Sequence, residues 1–167
     1  MTKHRGRQWG CLALALTITV SINANAQTAT LDVSGKISRY TDRTTGTYRF
    51  SEVELLGLPQ YHIVTATSWT PKSEFVGPLL LDVLARVGAH GSTLEFHSLN
   101  QYTFAIPVGD AARYGVILAL SRDGKRLTPS DFGPIFVVYP RDQYPRELKT
   151  PITEAKYVWQ VTGFRVQ

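Results

Sequence analysis

From Leu31 onward the apolar residues come in short runs, none longer than five residues, broken by glycine, proline and polar turn residues. Such runs build strands and short helices rather than long bundles or membrane spans. Leu31, Val33 and Ile37 mark a half-buried strand over 31–37. Ser51 and Glu54 make a capping box ahead of Val53, Leu55 and Leu56, so a short helix starts there and ends near Gly57 and Pro59. The β-branched stretch 62–67 predicts a strand. Pro78 opens a predicted helix in which Leu80, Val83, Leu84 and Val87 recur at helical spacing, and Gly88 stops it. Segments 94–97 and 102–106 read as strands joined by 98–101, and 107–113 as a helical turn. Segments 116–120 and 125–127 are predicted hairpin arms around Asp123-Gly124. A buried strand over 134–139 and a closing strand over 157–166 complete the pattern. Strands and helices mix without βαβ regularity, which predicts an α+β domain.

Residues 1–26 have a different character. Lys3, Arg5 and Arg7 precede the apolar run Cys11–Val20, and Ala24-Asn25-Ala26 follows as a small-x-small cleavage pattern. The run is about half of the ~20 residues that a membrane span needs. The pattern predicts a cleaved signal peptide over 1–26 and one domain over 27–167, periplasmic or secreted, with no membrane span after cleavage. Arg5-Gly6-Arg7 is not a paired-arginine signal, which favours the secretion route that threads unfolded chains.

The net charge of +5 rests on 18 basic against 13 acidic residues, and the leader holds three of the former and none of the latter. The remainder is nearly balanced, which argues against a nucleic-acid partner. The only cysteine, Cys11, also lies in the leader. Residues 27–167 therefore hold no disulfide, thiolate nucleophile, cysteine-ligated zinc or iron–sulfur cluster. Nucleophile elbows, phosphate loops, dinucleotide fingerprints and His-Glu-x-x-His are absent. His62, His90 and His97 lack the close spacing of a metal site and read as ordinary loop or strand residues. No catalytic residue and no metal ligand is assigned.

Six phrases in order carry a resemblance. They are Phe50–Gln60, Thr65-Ala-Thr-Ser-Trp-Thr70, Phe75–Leu84, Leu99-Asn-Gln-Tyr102 with Ile106-Pro107 and Asp110, Tyr114–Ala119, and Gly133–Pro140. Together they resemble small exported members of the molybdopterin-binding oxidoreductase domain, the sulfite oxidase superfamily, and Trp159–Arg165 resembles its closing strand. The resemblance implies a mixed β-sheet with short helices and a cleft that holds the pterin in the enzymes.

One departure bears on the chemistry. The resemblance places a molybdenum-ligating cysteine just before a Trp and a Gly-x-x-Leu helix. With Trp69 and Gly77-Pro78-Leu79-Leu80 as anchors, that position is about Thr65. A hydroxyl is a poor replacement for a thiolate toward a soft, high-valent metal. The expectation is a domain that has lost metal chemistry and binds a small molecule or anion, as a sensory or accessory module with a possible membrane-sensor partner. No cofactor is expected. The alternative is a molybdopterin-dependent oxidoreductase with a non-cysteine metal environment. The ligand-binding candidates are Thr65, Thr67, Trp69, Asn100, Tyr102 and Tyr139, with Arg113 to grip an anion. Each also has a structural reading: Trp69 and Tyr139 suit a core, and Asn100 suits a turn.

Overall fold

The computed structural model describes residues 28–167, so the predicted leader lies outside the described residues. Strand β1 (Leu31–Gly35) buries Leu31 and Val33 and leaves the residues between half-exposed, the period-two signature of a sheet face. Gly35 ends it two residues before the predicted end. Its φ is +89°, and a Cβ there would lie 2.1 Å from the Val166 carbonyl oxygen. β2 (Tyr48–Phe50) pairs antiparallel with β1. Helix α1 (Glu52–Gly57) starts on the predicted capping box: Ser51 Oγ accepts the Glu54 N–H at 3.2 Å, and the Glu54 carboxylate accepts the Ser51 N–H at 3.0 Å.

β3 (Gln60–Thr65) and β4 (Ser73–Pro78) are antiparallel, with Gln60 opposite Pro78 and Thr65 opposite Ser73. Pro78 closes β4 and does not open α2 (Leu80–Val87), whose N-cap is Leu79. The four helically spaced residues of α2 are all buried, and Gly88 caps it in the left-handed region. β5 (Thr93–Ser98) turns back into β6 (Thr103–Pro107), and α3 (Gly109–Tyr114) follows.

β7 (Ile117–Ala119) leads into the hairpin of β8 (Ser121–Arg122) and β9 (Lys125–Arg126) about Asp123-Gly124. The predicted long hairpin arm is divided. β7 is buried at every residue and pairs with β10 (Phe136–Val138), while only the polar tip folds back on itself. Two short helices, α4 (Pro145–Leu148) and α5 (Pro151–Glu154), precede β11 (Val161–Val166).

The five-stranded sheet has the order β2-β1-β11-β5-β6, parallel only between β1 and β11. A four-stranded antiparallel sheet runs β3-β4-β8-β9. The β7–β10 pair ties the two together. The Leu120 N–H donates to the Val76 carbonyl of β4 on one side (2.8 Å), and the Val161 N–H of β11 donates to the Ile135 carbonyl beside β10 on the other (3.0 Å). Gly77 permits the first approach, because a Cβ there would lie 2.0 Å from the Leu118 carbonyl oxygen. Phe75 and Phe136 meet edge to face at 5.7 Å in the core, and Phe96 and Phe164 pack at 4.9 Å in the larger sheet. The architecture is α+β, a mixed sheet with short helices. No helix among the described residues is long and apolar enough to cross a membrane.

Candidate functional site

β3 stops at Thr65 because the next backbone groups have partners elsewhere. The Ala66 N–H donates to Asp142 Oδ2 at 3.0 Å, and the Asp142 N–H donates back to Thr65 Oγ1 at 3.1 Å. Thr65 Oγ1 in turn donates to the Ala66 carbonyl at 3.3 Å. The Ala66 N–H, with help from Lys149, holds the Asp142 carboxyl below the usual carboxylate range. Thr67 Oγ1 then accepts the N–H groups of Trp69 (3.1 Å) and Thr70 (3.0 Å), closing a hydroxyl turn. This turn buries Thr65 and Thr67 and throws Trp69 outward, 42% exposed.

A second turn, between β5 and β6, supplies the opposite wall. Asn100 Oδ1 accepts the Ser98 hydroxyl (2.6 Å) and the Tyr102 N–H (3.1 Å), while Gln101 takes a left-handed φ of +66°. Tyr102 is left 44% exposed, its hydroxyl donating to the Ala155 carbonyl at 3.4 Å.

The third wall follows α5. Thr150 caps that helix, accepting the Thr153 N–H, and so fixes Glu154 and Ala155 at its far end. Glu154 accepts the Arg141 guanidinium (Nη2 at 2.8 Å, Nε at 3.0 Å) and the Ser68 hydroxyl. Trp159 meets Trp69 at 4.8 Å and 71°, a corner rather than a stack, and buried Tyr157 lies 6.3 Å from Trp69. Burial, then the Glu154 charge, pushes the Tyr157 hydroxyl above its ordinary value. These three walls enclose a cleft of about 180 Å³ lined by Trp69, Asn100, Tyr102, Glu154, Ala155, Tyr157 and Trp159.

Three of the seven sequence candidates thus meet: Trp69, Asn100 and Tyr102. Thr65 and Thr67 are buried and outside the cleft lining, with hydroxyls engaged by their own loop and by the Asp142 N–H. Tyr139 is fully buried, and its hydroxyl donates to Asp110 Oδ2 at 3.0 Å. The same oxygen receives the Lys156 ammonium at 2.6 Å. Burial, reinforced by Asp110, pushes the Tyr139 hydroxyl far above its ordinary value. Arg113 is exposed on α3, its guanidinium 5.0 Å from the Tyr114 ring, and is not part of the cleft lining. Sequence reading passed over Glu154, Tyr157 and Trp159 as site residues. The signals for them were the Thr150-Pro151 cap pattern and the period-two aromatic pair just ahead of the closing strand.

The fold and the cleft define an α+β domain whose candidate site gathers loops from both sheets. The chain belongs to the oxidoreductase molybdopterin binding domain family, whose pattern matches residues 22–149. Its fold is of the sulfite oxidase type. The crystal structure of the sulfane dehydrogenase SoxCD from Paracoccus pantotrophus superposes with a TM-score of 0.58 at 15% identity over 82% of this chain. The matched region is 37% of that chain, so the present chain spans well under half its length. No curated protein matches.

The residues at this place do not fit a thiolate-ligated molybdenum. The hydroxyl at Thr65 is fully buried and already both donates and accepts, and residues 27–167 contain no cysteine. No group of three or more His, Cys, Asp or Glu among the described residues is placed to hold a metal ion. The cleft is also small beside the ~300–1,000 Å³ usual for pockets that take drug-sized ligands.

Proposed function

We propose that this protein is an exported binding or sensory module of the molybdopterin-binding oxidoreductase family that has given up metal chemistry and kept a small-molecule cleft. One observation carries the reading. The Thr65 hydroxyl stands about where the resemblance puts the metal thiolate, and it is buried and locked to Asp142, on the loop that carries Trp69 into an aromatic cleft. The ligand would sit among Trp69, Tyr102 and Trp159, and Asn100 and Glu154 would shape the polar side of the opening. Export rests on the leader pattern of residues 1–26. A module of this kind would report to a membrane-bound sensor, its ligand state being the signal.

Elemental analysis of protein purified from its own host tests the reading. The expected result is no stoichiometric molybdenum. About one molybdenum per chain would establish the alternative, a molybdopterin-dependent oxidoreductase with a non-cysteine metal environment. Intact mass on the same sample is expected to show a chain starting at Gln27, with a loss of about 17 Da if that glutamine cyclises. A retained leader would overturn the exported reading.

A further inference from the structure

From the chemistry of the cleft we infer that its ligand is a small organic cation, a methylated or quaternary ammonium group, an inference that rests on the small-molecule reading above. The lining holds four aromatic residues, one carboxylate and neither lysine nor arginine. Trp69 and Trp159 stand at 71° to each other, as two walls of a corner. Tyr102 closes a third side, held in place by the bond from its hydroxyl to the Ala155 carbonyl. Aromatic faces carry negative charge density, and a cation set among several of them is attracted without a full ion pair.

The polar groups favour the same ligand by exclusion. An anion finds no basic side chain in the lining: Arg141 is committed to Glu154 through two nitrogens, and Lys156, between two lining residues, to Asp110 at 2.6 Å. Glu154 Oε1 accepts both Arg141 nitrogens and Oε2 accepts the Ser68 hydroxyl, so most of the acceptor capacity of the one carboxylate in the lining is already taken. A primary ammonium needs three acceptors to replace its water. A methylated ammonium needs none, and it is the cation that suits an aromatic corner with few free acceptors. The volume of about 180 Å³ suits such a head group rather than a larger ligand.

The test compares choline with dimethylbutanol, its uncharged carbon isostere, and with phenol as a flat neutral probe. Binding to the mature chain is followed by tryptophan emission and titration calorimetry. Choline is expected to bind at least about tenfold more tightly than the isostere, the margin that shielded cation–π contacts give. Tyr102→Leu alters a residue that is 44% exposed and is expected to lower choline affinity several-fold while leaving the melting temperature nearly unchanged. Equal binding of choline and the isostere, or binding of phenol alone, would overturn the cation and leave a small-molecule cleft standing. Failure of all three probes to bind would overturn the cation and remove the support for a ligand cleft as well.

Discussion

Thr65 shows how one hydroxyl can hold a local structure together. Its oxygen accepts the Asp142 N–H while Asp142 accepts the Ala66 N–H, so two chain segments far apart in sequence are joined by a reciprocal pair. Thr65→Val keeps the shape and removes the acceptor. It is expected to cost about 1–3 kcal/mol, because the Asp142 amide then loses its partner in a poorly hydrated place. Thr65→Ser keeps the hydroxyl and should lose much less. Urea denaturation of the two variants measures the difference, and equal losses would mean that packing of the methyl group, not the hydrogen bond, is what matters there. The same accounting separates the sequence candidates. Trp69, Asn100 and Tyr102 sit on or beside sharp turns and reach the cleft, and turn chemistry was visible in their neighbours. The residue types Thr65, Thr67 and Tyr139 are equally suited to a ligand. What removes them from the cleft is internal bonding to Asp142, Thr70 and Asp110, contacts that no local pattern encodes.

Among the elements, α2 was legible because four apolar residues at helical spacing and a closing Gly88 all point to the same structure. β4 was not, because Phe75 and Val76 run straight into Gly77-Pro78, and Pro78 suits a helix start as well as a strand end. The closing strand begins at Val161, four residues later than predicted. The backbone from Tyr157 to Gln160 serves β10 and the loop before it instead: the Val158 carbonyl accepts from Val137, and the Gln160 N–H donates to the Phe132 carbonyl. Helices α4 and α5 have only four residues each and bury a single residue between them, Leu148, so periodicity had nothing to register. α5 matters all the same, since its capped start sets where Glu154 and Ala155 fall. Thr150→Ala is expected to cost about 1 kcal/mol, and also to weaken ligand binding by letting the third wall of the cleft move. Thermal melts and probe titration on that variant check both effects. Lost stability with unchanged affinity would show that the wall is held by the Arg141–Glu154 pair and not by the helix cap.

Over the whole molecule, the two larger sheets meet through the β7–β10 pair, and Tyr139 and Tyr157 are buried at that junction with rings 5.6 Å apart. The Tyr157 hydroxyl donates to the Tyr139 carbonyl at 3.4 Å, and the Tyr139 hydroxyl donates to Asp110. Burial raises both phenols above their ordinary value, and the Asp110 and Glu154 charges raise them further. The sign of the effect on stability follows from proton counting. Below about pH 10 both the folded and unfolded chains keep these protons, and the two groups add no pH dependence. Above it the unfolded chain releases them while the folded chain does not. Unfolding is then coupled to proton loss, and stability falls as pH rises. Each tyrosine contributes a slope of about 1.4 kcal/mol per pH unit, so the pair gives roughly 2.7 kcal/mol per unit. Against a total stability of about 5–15 kcal/mol, such a slope leads to cooperative alkaline unfolding within a few pH units. Ultraviolet titration of the phenolates is expected to show Tyr139 and Tyr157 silent until the fold is lost, with the transition matching loss of near-ultraviolet circular dichroism. Ionisation of Tyr139 and Tyr157 near the ordinary value while the fold persists would mean that water reaches the junction, and that the core there is open rather than closed.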